Sequence, residues 1–358
     1  MRRALISCAF AGLSLGLFLS CDDDSPAKPE QPEFAIETHV IRDIDYVKDK
    51  YFYFDDPAHF LGLRVFDPQI EVYRTVTPAD LIRDPTILRL PGWVMADSAG
   101  DGQAIRDAAA VISNGGIPAR ALRQDFERLQ PGADYDFIID ALSQRTVGIK
   151  LVDPVPASAL KAIGVTYINE DGTPVGGTYA TLGVGSSDSL MLEMLKAPDP
   201  RPQGSFGTTW RLAARNVYYL GTRDIRPNAL TVGIEDVLDA TRPDPTSPAG
   251  SSVSYLRIFG LDQTGSDGSG PPDGLVDPWF VDLTAGILVF PSAESFAPDS
   301  EFVDMWTDGL FAFTDPYQAQ YDKSGRIYDE LLNPTAQLDV HQYNIMVTVK
   351  RRIIPPPM

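Results

Sequence analysis

From Phe34 onward the chain reads as short apolar or alternating segments cut by turn residues, a pattern of many short strands rather than long helices. Val165 to Asn169 and Val175 to Tyr179 flank Glu170-Asp171-Gly172-Thr173 and predict a hairpin. Strands are also predicted at Gly62 to Phe66, Tyr135 to Ile139, Gly148 to Val152, Leu230 to Ile234, Val253 to Phe259, Trp279 to Leu283, Gly286 to Phe290 and Tyr343 to Val349, where β-branched and aromatic residues concentrate. Helical stretches are fewer: Gln103 to Ile112, Pro118 to Leu129 with proline at a helix-starting position, and Gly325 to Leu332. The expected fold class is mainly β (α+β), with a few short helices.

Two elements recur in the same order. DKYFYFDDPAHFLGLRVF from Asp49 is followed by DYDFIIDALSQRTVGIKL from Asp134, and ARNVYYLGTRDIRPNALTVGI from Ala214 by DPWFVDLTAGILVFP from Asp277. The aromatic pairs and the TVGI and TAGI steps correspond, so two related β-rich modules are expected: 34–197, with a helical insert near 103–129, and 198–350, followed by a tail at 351–358. The alternative is that hairpins resemble one another by composition.

Composition narrows the chemistry. The 358 residues carry 49 acidic and 30 basic side chains, a net charge of −19, which argues against nucleic acid as a partner. Three histidines (His39, His59, His341) and two cysteines supply too few soft ligands for a zinc cluster, an iron–sulfur site or a haem. No G-x-S-x-G elbow, H-E-x-x-H pair or phosphate-cradling loop occurs, so no enzyme class gains support. A glycosidase carboxylate pair leaves no fixed spacing and stays open as an alternative.

The N-terminus reads as an export address. Met1-Arg2-Arg3 is basic and Ala4 to Leu19 uncharged and apolar, as in a signal peptide spanning 1–20. Its end, Leu17-Phe18-Leu19-Ser20-Cys21, resembles the lipobox of bacterial lipoproteins, with Phe18 where leucine is usual. That resemblance implies an acylated Cys21 as the first mature residue and the only remaining thiol, hence no disulfide. Residues 21–33, acidic then proline-rich, read as an extended tether. Asp22-Asp23-Asp24 also resembles the surface-export signal of some Bacteroidetes lipoproteins, whereas elsewhere aspartate there accompanies inner-membrane retention. The expected location is the cell envelope, lipid-anchored at the outer membrane, with the leaflet open.

Several blocks from Ser189 onward stand in an order that resembles the N-terminal region of the SprA (Sov) family of gliding motility and type 9 secretion. They are SLMLEMLKAP from Ser189, TWRLAARNVYYLG from Thr209, LDQTGSDGSGPPDGLVD from Leu261, AGILVFPSAESFAP from Ala285 and RIYDELLNP from Arg326. Upstream, LQPGADYDFIIDALSQRTVGIKL and IGVTYINEDGTPVGGTY resemble that region's strand-rich lead-in. The resemblance implies a non-enzymatic accessory or structural component whose partners are envelope proteins, among them an outer-membrane secretion barrel. In the family the sequence continues toward a membrane barrel where this one reaches Lys350 to Met358, and this length cannot supply a large pore. A piece of a split gene is the alternative.

Two candidate sites follow from residue types. Asp262, Thr264, Ser266, Asp267, Asp273 and Asp277, spaced by glycines, offer hard oxygens of the kind calcium prefers, yet they miss the EF-hand register, with Asp267 where glycine is required. The rival and favoured reading is a solvated acidic connection stiffened by Pro271-Pro272. Trp210, Tyr218, Tyr219, Trp279, Phe280, Phe290 and Phe296 are read as core; exposed and coplanar, they would instead suit a surface glycan-binding lipoprotein, the alternative function. Arg211, Arg215 and Arg223 are read as structural partners of the nearby rings and carboxylates.

Overall fold

A computed structural model describes residues 34–352 apart from 44, 56–61, 65–69, 97–101, 141–142, 170, 185–188, 200–205, 238–245, 248–251, 266 and 292–342. Ile36–Lys350 forms one compact unit, into which both expected modules fall. A second unit, Met1–Ala35 with Arg351–Met358, lies mostly outside the described residues. Strands dominate and helices are few. Among the described residues no helix is long and apolar enough to cross a membrane.

The strands are β1 (Phe34–Arg42), β2 (Tyr51–Tyr53), β3 (Glu71–Thr75), β4 (Leu90–Met95), β5 (Ala121–Arg128), β6 (Tyr135–Ile139), β7 (Thr146–Leu151), β8 (Ile163–Ile168), β9 (Pro174–Val175), β10 (Gly177–Thr178), β11 (Leu190–Lys196), β12 (Val217–Tyr219), β13 (Leu230–Asp236), β14 (Val281–Asp282), β15 (Ile287–Val289) and β16 (Tyr343–Arg352). The helices are α1 (Pro78–Arg83), α2 (Gln103–Ser113) and α3 (Tyr255–Ile258).

The largest sheet closes on itself: β11-β4-β5-β3-β8 form a ring because β11 pairs with β8 as well as β4. Every pairing in the ring is antiparallel except β11 with β4. Tyr73, Val94, Phe126, Leu190, Leu192 and Met194 fill its interior, so this is a packed core and not a pore. A Cβ at Gly164 would come within 2.9 Å of the Leu192 Cβ, so glycine is what lets these strands close so tightly. The outer face (Val72, Ile163, Val165, Met191, Leu195) packs on Ile105, Ala108 and Ala109 of α2.

Two three-stranded sheets repeat one topology. In β2-β7-β6 and β12-β15-β14, a first strand pairs with the second strand of a later hairpin, all antiparallel. Tyr51 and Tyr53 of one share a core with Val217 of the other and Ala214. The leads into them exchange bonds reciprocally, Val47 N–H to the Val217 carbonyl (2.8 Å) and Ala214 N–H to the Tyr51 carbonyl (2.9 Å). Matched by buried face, Phe52 and Ile149 correspond to Tyr218 and Leu288. The TVGI and TAGI steps are therefore one residue out of step, which puts Ile149 and Ile287 on opposite faces.

The third three-stranded sheet, β1-β16-β13, lays Val232, Ile234, Ile345 and Val347 on Tyr255, Phe259 and Tyr218. Most expected strands and the 103–112 helix are found. Of the strand expected at Trp279 to Leu283 only Val281–Asp282 pairs, since Pro278 starts a 310 turn through Phe280, and two further segments change type. Pro118 to Leu129 is no helix: β5 occupies it, with Leu122 and Phe126 turned into the barrel and pairing to β3 and β4 outweighing its helix-forming Arg, Gln and Glu. Tyr255 to Phe259 is no strand: Ser254 accepts from the Arg257 N–H (3.3 Å) and starts α3, which stacks Tyr255 on Phe259 at 5.8 Å. Of Gly62 to Phe66, Leu63 makes an isolated bridge to Thr146. The expected helix at Gly325 to Leu332 lies outside the described residues.

Candidate functional site

The acidic loop leaves α3 and returns to the 310 turn Pro278–Phe280, its base clamped by the Asp277 N–H donating to the Leu261 carbonyl (2.8 Å). Asp277 is fully buried; its carboxylate accepts from Gln263 N–H (2.9 Å), Thr264 N–H (3.3 Å) and the Thr264 hydroxyl (2.9 Å). The Asp262 carboxylate, also buried, takes the N–H groups of Asp273 and Gly274, each at 3.0 Å. Asp267 caps Ser269 (N–H 2.9 Å, hydroxyl 2.8 Å), and Asp273 accepts from Leu275 N–H (3.0 Å).

Asp262 and Asp277 at the two ends are interior, whereas Asp267 to Pro271 and Asp273 to Leu275 are exposed, so the connection is solvated between two buried anchors. With so few charged partners, the loop spends its carboxylates on its own N–H donors. Burial, together with the charges of Asp273 and Asp277, pushes the Asp262 carboxyl up despite its two N–H bonds. The Ser269 bonds hold Asp267 below its usual range. Among the described residues no three His, Cys, Asp or Glu side chains converge as a metal site. Chemically, the arrangement fixes the path of a long connection.

Of the aromatic set, Trp210, Tyr218, Phe280 and Phe290 are buried, whereas Tyr219 and Trp279 remain 40% and 38% exposed. Arg215 is buried with its guanidinium 4.3 Å from the Trp210 ring centroid, and Arg223 lies 5.9 Å from that of Tyr219. His39 is half-buried, 3.9 Å from Glu37. Cys21, Phe296, His59 and His341 lie outside the described residues.

Two cations, buried Lys196 and half-buried Lys161, escaped the sequence reading, because only the fold brings their partners near. Lys196, at an irregularity of β11, donates to the carbonyls of Lys161 and Ala197, both at 3.3 Å. Burial brings its ammonium down to about 8 against the pull of Asp49 and Asp199. Lys161 reaches Asp80 of α1 at 2.7 Å, and Asp80 also accepts from Thr77 N–H (2.8 Å) and hydroxyl (2.7 Å). Burial raises the Asp80 carboxyl, but these donors and the Lys161 charge hold it well below the carboxylate range.

A pH dependence follows. A depressed folded-state value stabilises the fold above the unfolded value of about 4, and that stability is lost as pH falls through the depressed value. Lys161→Met is expected to cost about 2 kcal/mol near neutrality. Urea titrations should show the gap between the two proteins narrowing in strong acid.

The turn before Lys161 and the segment from α1 to β4 expose large apolar side chains: Ile82 at 85%, Leu88 at 75% and Leu160 at 63%. Leu160 adopts φ +51, which a branched side chain rarely takes. No periodicity marks these residues. No family model and no curated protein matches the chain.

Proposed function

We propose that the protein is a non-enzymatic, lipid-anchored component of the cell envelope. An acylated Cys21 and the 21–33 tether hold off the membrane a β-rich body that docks partner proteins of a secretion or gliding apparatus. The observation that carries the reading is the ordered run of SprA-like blocks from Ser189 to Arg326 behind a lipobox-like ending at Cys21. Ile82, Leu88 and Leu160 supply exposed apolar surface for such docking.

Metabolic labelling with a palmitate analogue, followed by cross-linking and affinity capture, tests it against Cys21→Ala. Labelled protein that recovers an outer-membrane barrel protein, with both label and recovery lost in the variant, is the expected result. Unlabelled protein that captures only itself overturns the reading. A second reading, glycan binding, draws on the exposed Tyr219 and Trp279. Glycan binding abolished by Trp279→Ala would favour it instead.

A further inference from the structure

β1 lies at one edge of its sheet, and among the described residues no strand pairs with its outer side. Its outward face is uncharged over this stretch: Ile36 and Val40 are 66% and 55% exposed, with Thr38 exposed between them. Natural edge strands usually carry a charge, a proline or a bulge that blocks pairing; the outward side chains from Ile36 to Val40 include no charge and no proline, which leaves this edge a template for another strand. The Asp43 N–H donates to the Tyr343 carbonyl at 3.0 Å. By alternation along the strand, odd-numbered residues turn their backbone groups to β16, while Ile36, Thr38 and Val40 turn theirs to the open edge.

We propose that a second copy of this chain pairs with β1 in antiparallel sense, about a two-fold axis through Thr38. The strand is complementary to itself about that point. Ile36 faces Val40 of the second copy, Thr38 faces Thr38, and Glu37 faces His39. Glu37 and His39 lie on the same side of the strand as buried Ile41, with the His39 ring over Gly221 and its Nε2 buried. Sliding the pairing to the neighbouring registers sets Glu37 against Glu37, or His39 against His39 with Ile36 against Arg42. The Thr38-centred register sets Ile36 against Val40 on both sides of the axis and places no like charges opposite each other. Its hydrogen-bonded pairs, Ile36 with Val40 and Thr38 with Thr38, are those whose backbone groups point outward. The two sheets then run on as one, an isologous contact that closes without leaving this edge free. It is smaller than a standard interface, so it forms at raised concentration or where chains are held close together.

Light scattering and amide hydrogen exchange on the full chain, across a dilution series, test this. The mass is expected to pass between one chain and two, and the amides of Ile36, Thr38 and Val40 to lose protection on dilution. Ile36→Lys removes the apolar partner of Val40 twice, once on each side of the axis. It is expected to raise the dissociation constant at least about tenfold with an unchanged monomer unfolding midpoint. Thr38→Pro removes an N–H that points to the second copy and should act alike. Should the proline lower the monomer's own stability, Ile36→Lys decides. A single-chain mass at every concentration, a dimer indifferent to Ile36→Lys, or edge amides equally protected at every dilution overturns the proposal.

Discussion

Gly286→Ala is expected to destabilise the protein by more than about 4 kcal/mol, enough to leave much of the chain unfolded in mild urea. Gly286 adopts φ +67, and a Cβ there would lie 1.7 Å from the Thr222 carbonyl oxygen and 2.8 Å from its carbon. The obstacle is backbone, which cannot rotate aside. It is also pinned, since Leu220 N–H donates to Gly286 (2.8 Å), Asp224 N–H to Thr284 (3.1 Å) and Ile225 N–H to Leu283 (2.9 Å). A methyl group must open these bonds and lift the start of β15 off β12. Gly115→Ala is the control: its φ is +81, but nothing lies within 4 Å of a Cβ there. Only the left-handed penalty of about 1 kcal/mol remains. Equal urea midpoints for the two variants would refute the role assigned to the close approach.

Asp277→Ala should cost about 2 kcal/mol by the same measurement, because it leaves the part-buried N–H groups of Gln263 and Thr264 without their acceptor beside a fully buried position. Asp277→Asn keeps one oxygen and is expected to lose about half as much. Asp267→Ala, which frees only exposed donors at Ser269, should lose less than about 1 kcal/mol. The series also separates the two readings of the loop. A midpoint that rises with added calcium, and stops doing so in Asp277→Asn, would favour a bound ion. An unchanged midpoint would favour a loop held by its own donors.

The legible parts of the fold were those whose own residues carry the pattern. Leu230–Asp236 and Tyr343–Arg352 alternate, each with one face to the core, and the turn at Glu170 to Thr173 marks the β8–β9 hairpin. β11 shows no alternation, since all seven of its residues are buried between the barrel interior and the outer core. A strand buried on both faces looks like any apolar run. β5 and α3 misled because their local propensities pointed the other way and partners far along the chain decided. In the acidic loop the residue types were legible, but not the direction in which each carboxylate points. That direction depends on which N–H groups the folded loop brings within reach.

The sequence by itself determined the strand-rich class, the repeated pair of elements, the acidic surplus and the lipobox-like address, because each is a property of neighbouring residues. Tertiary structure alone decided that a ring of five strands closes around Leu192 and Met194, and that Lys161 finds Asp80. It also decided that Asp277 is interior and that, among the described residues, β1 is left at an edge. Those outcomes rest on contacts between residues tens to hundreds of positions apart, whose energies exist only once the chain has closed on itself.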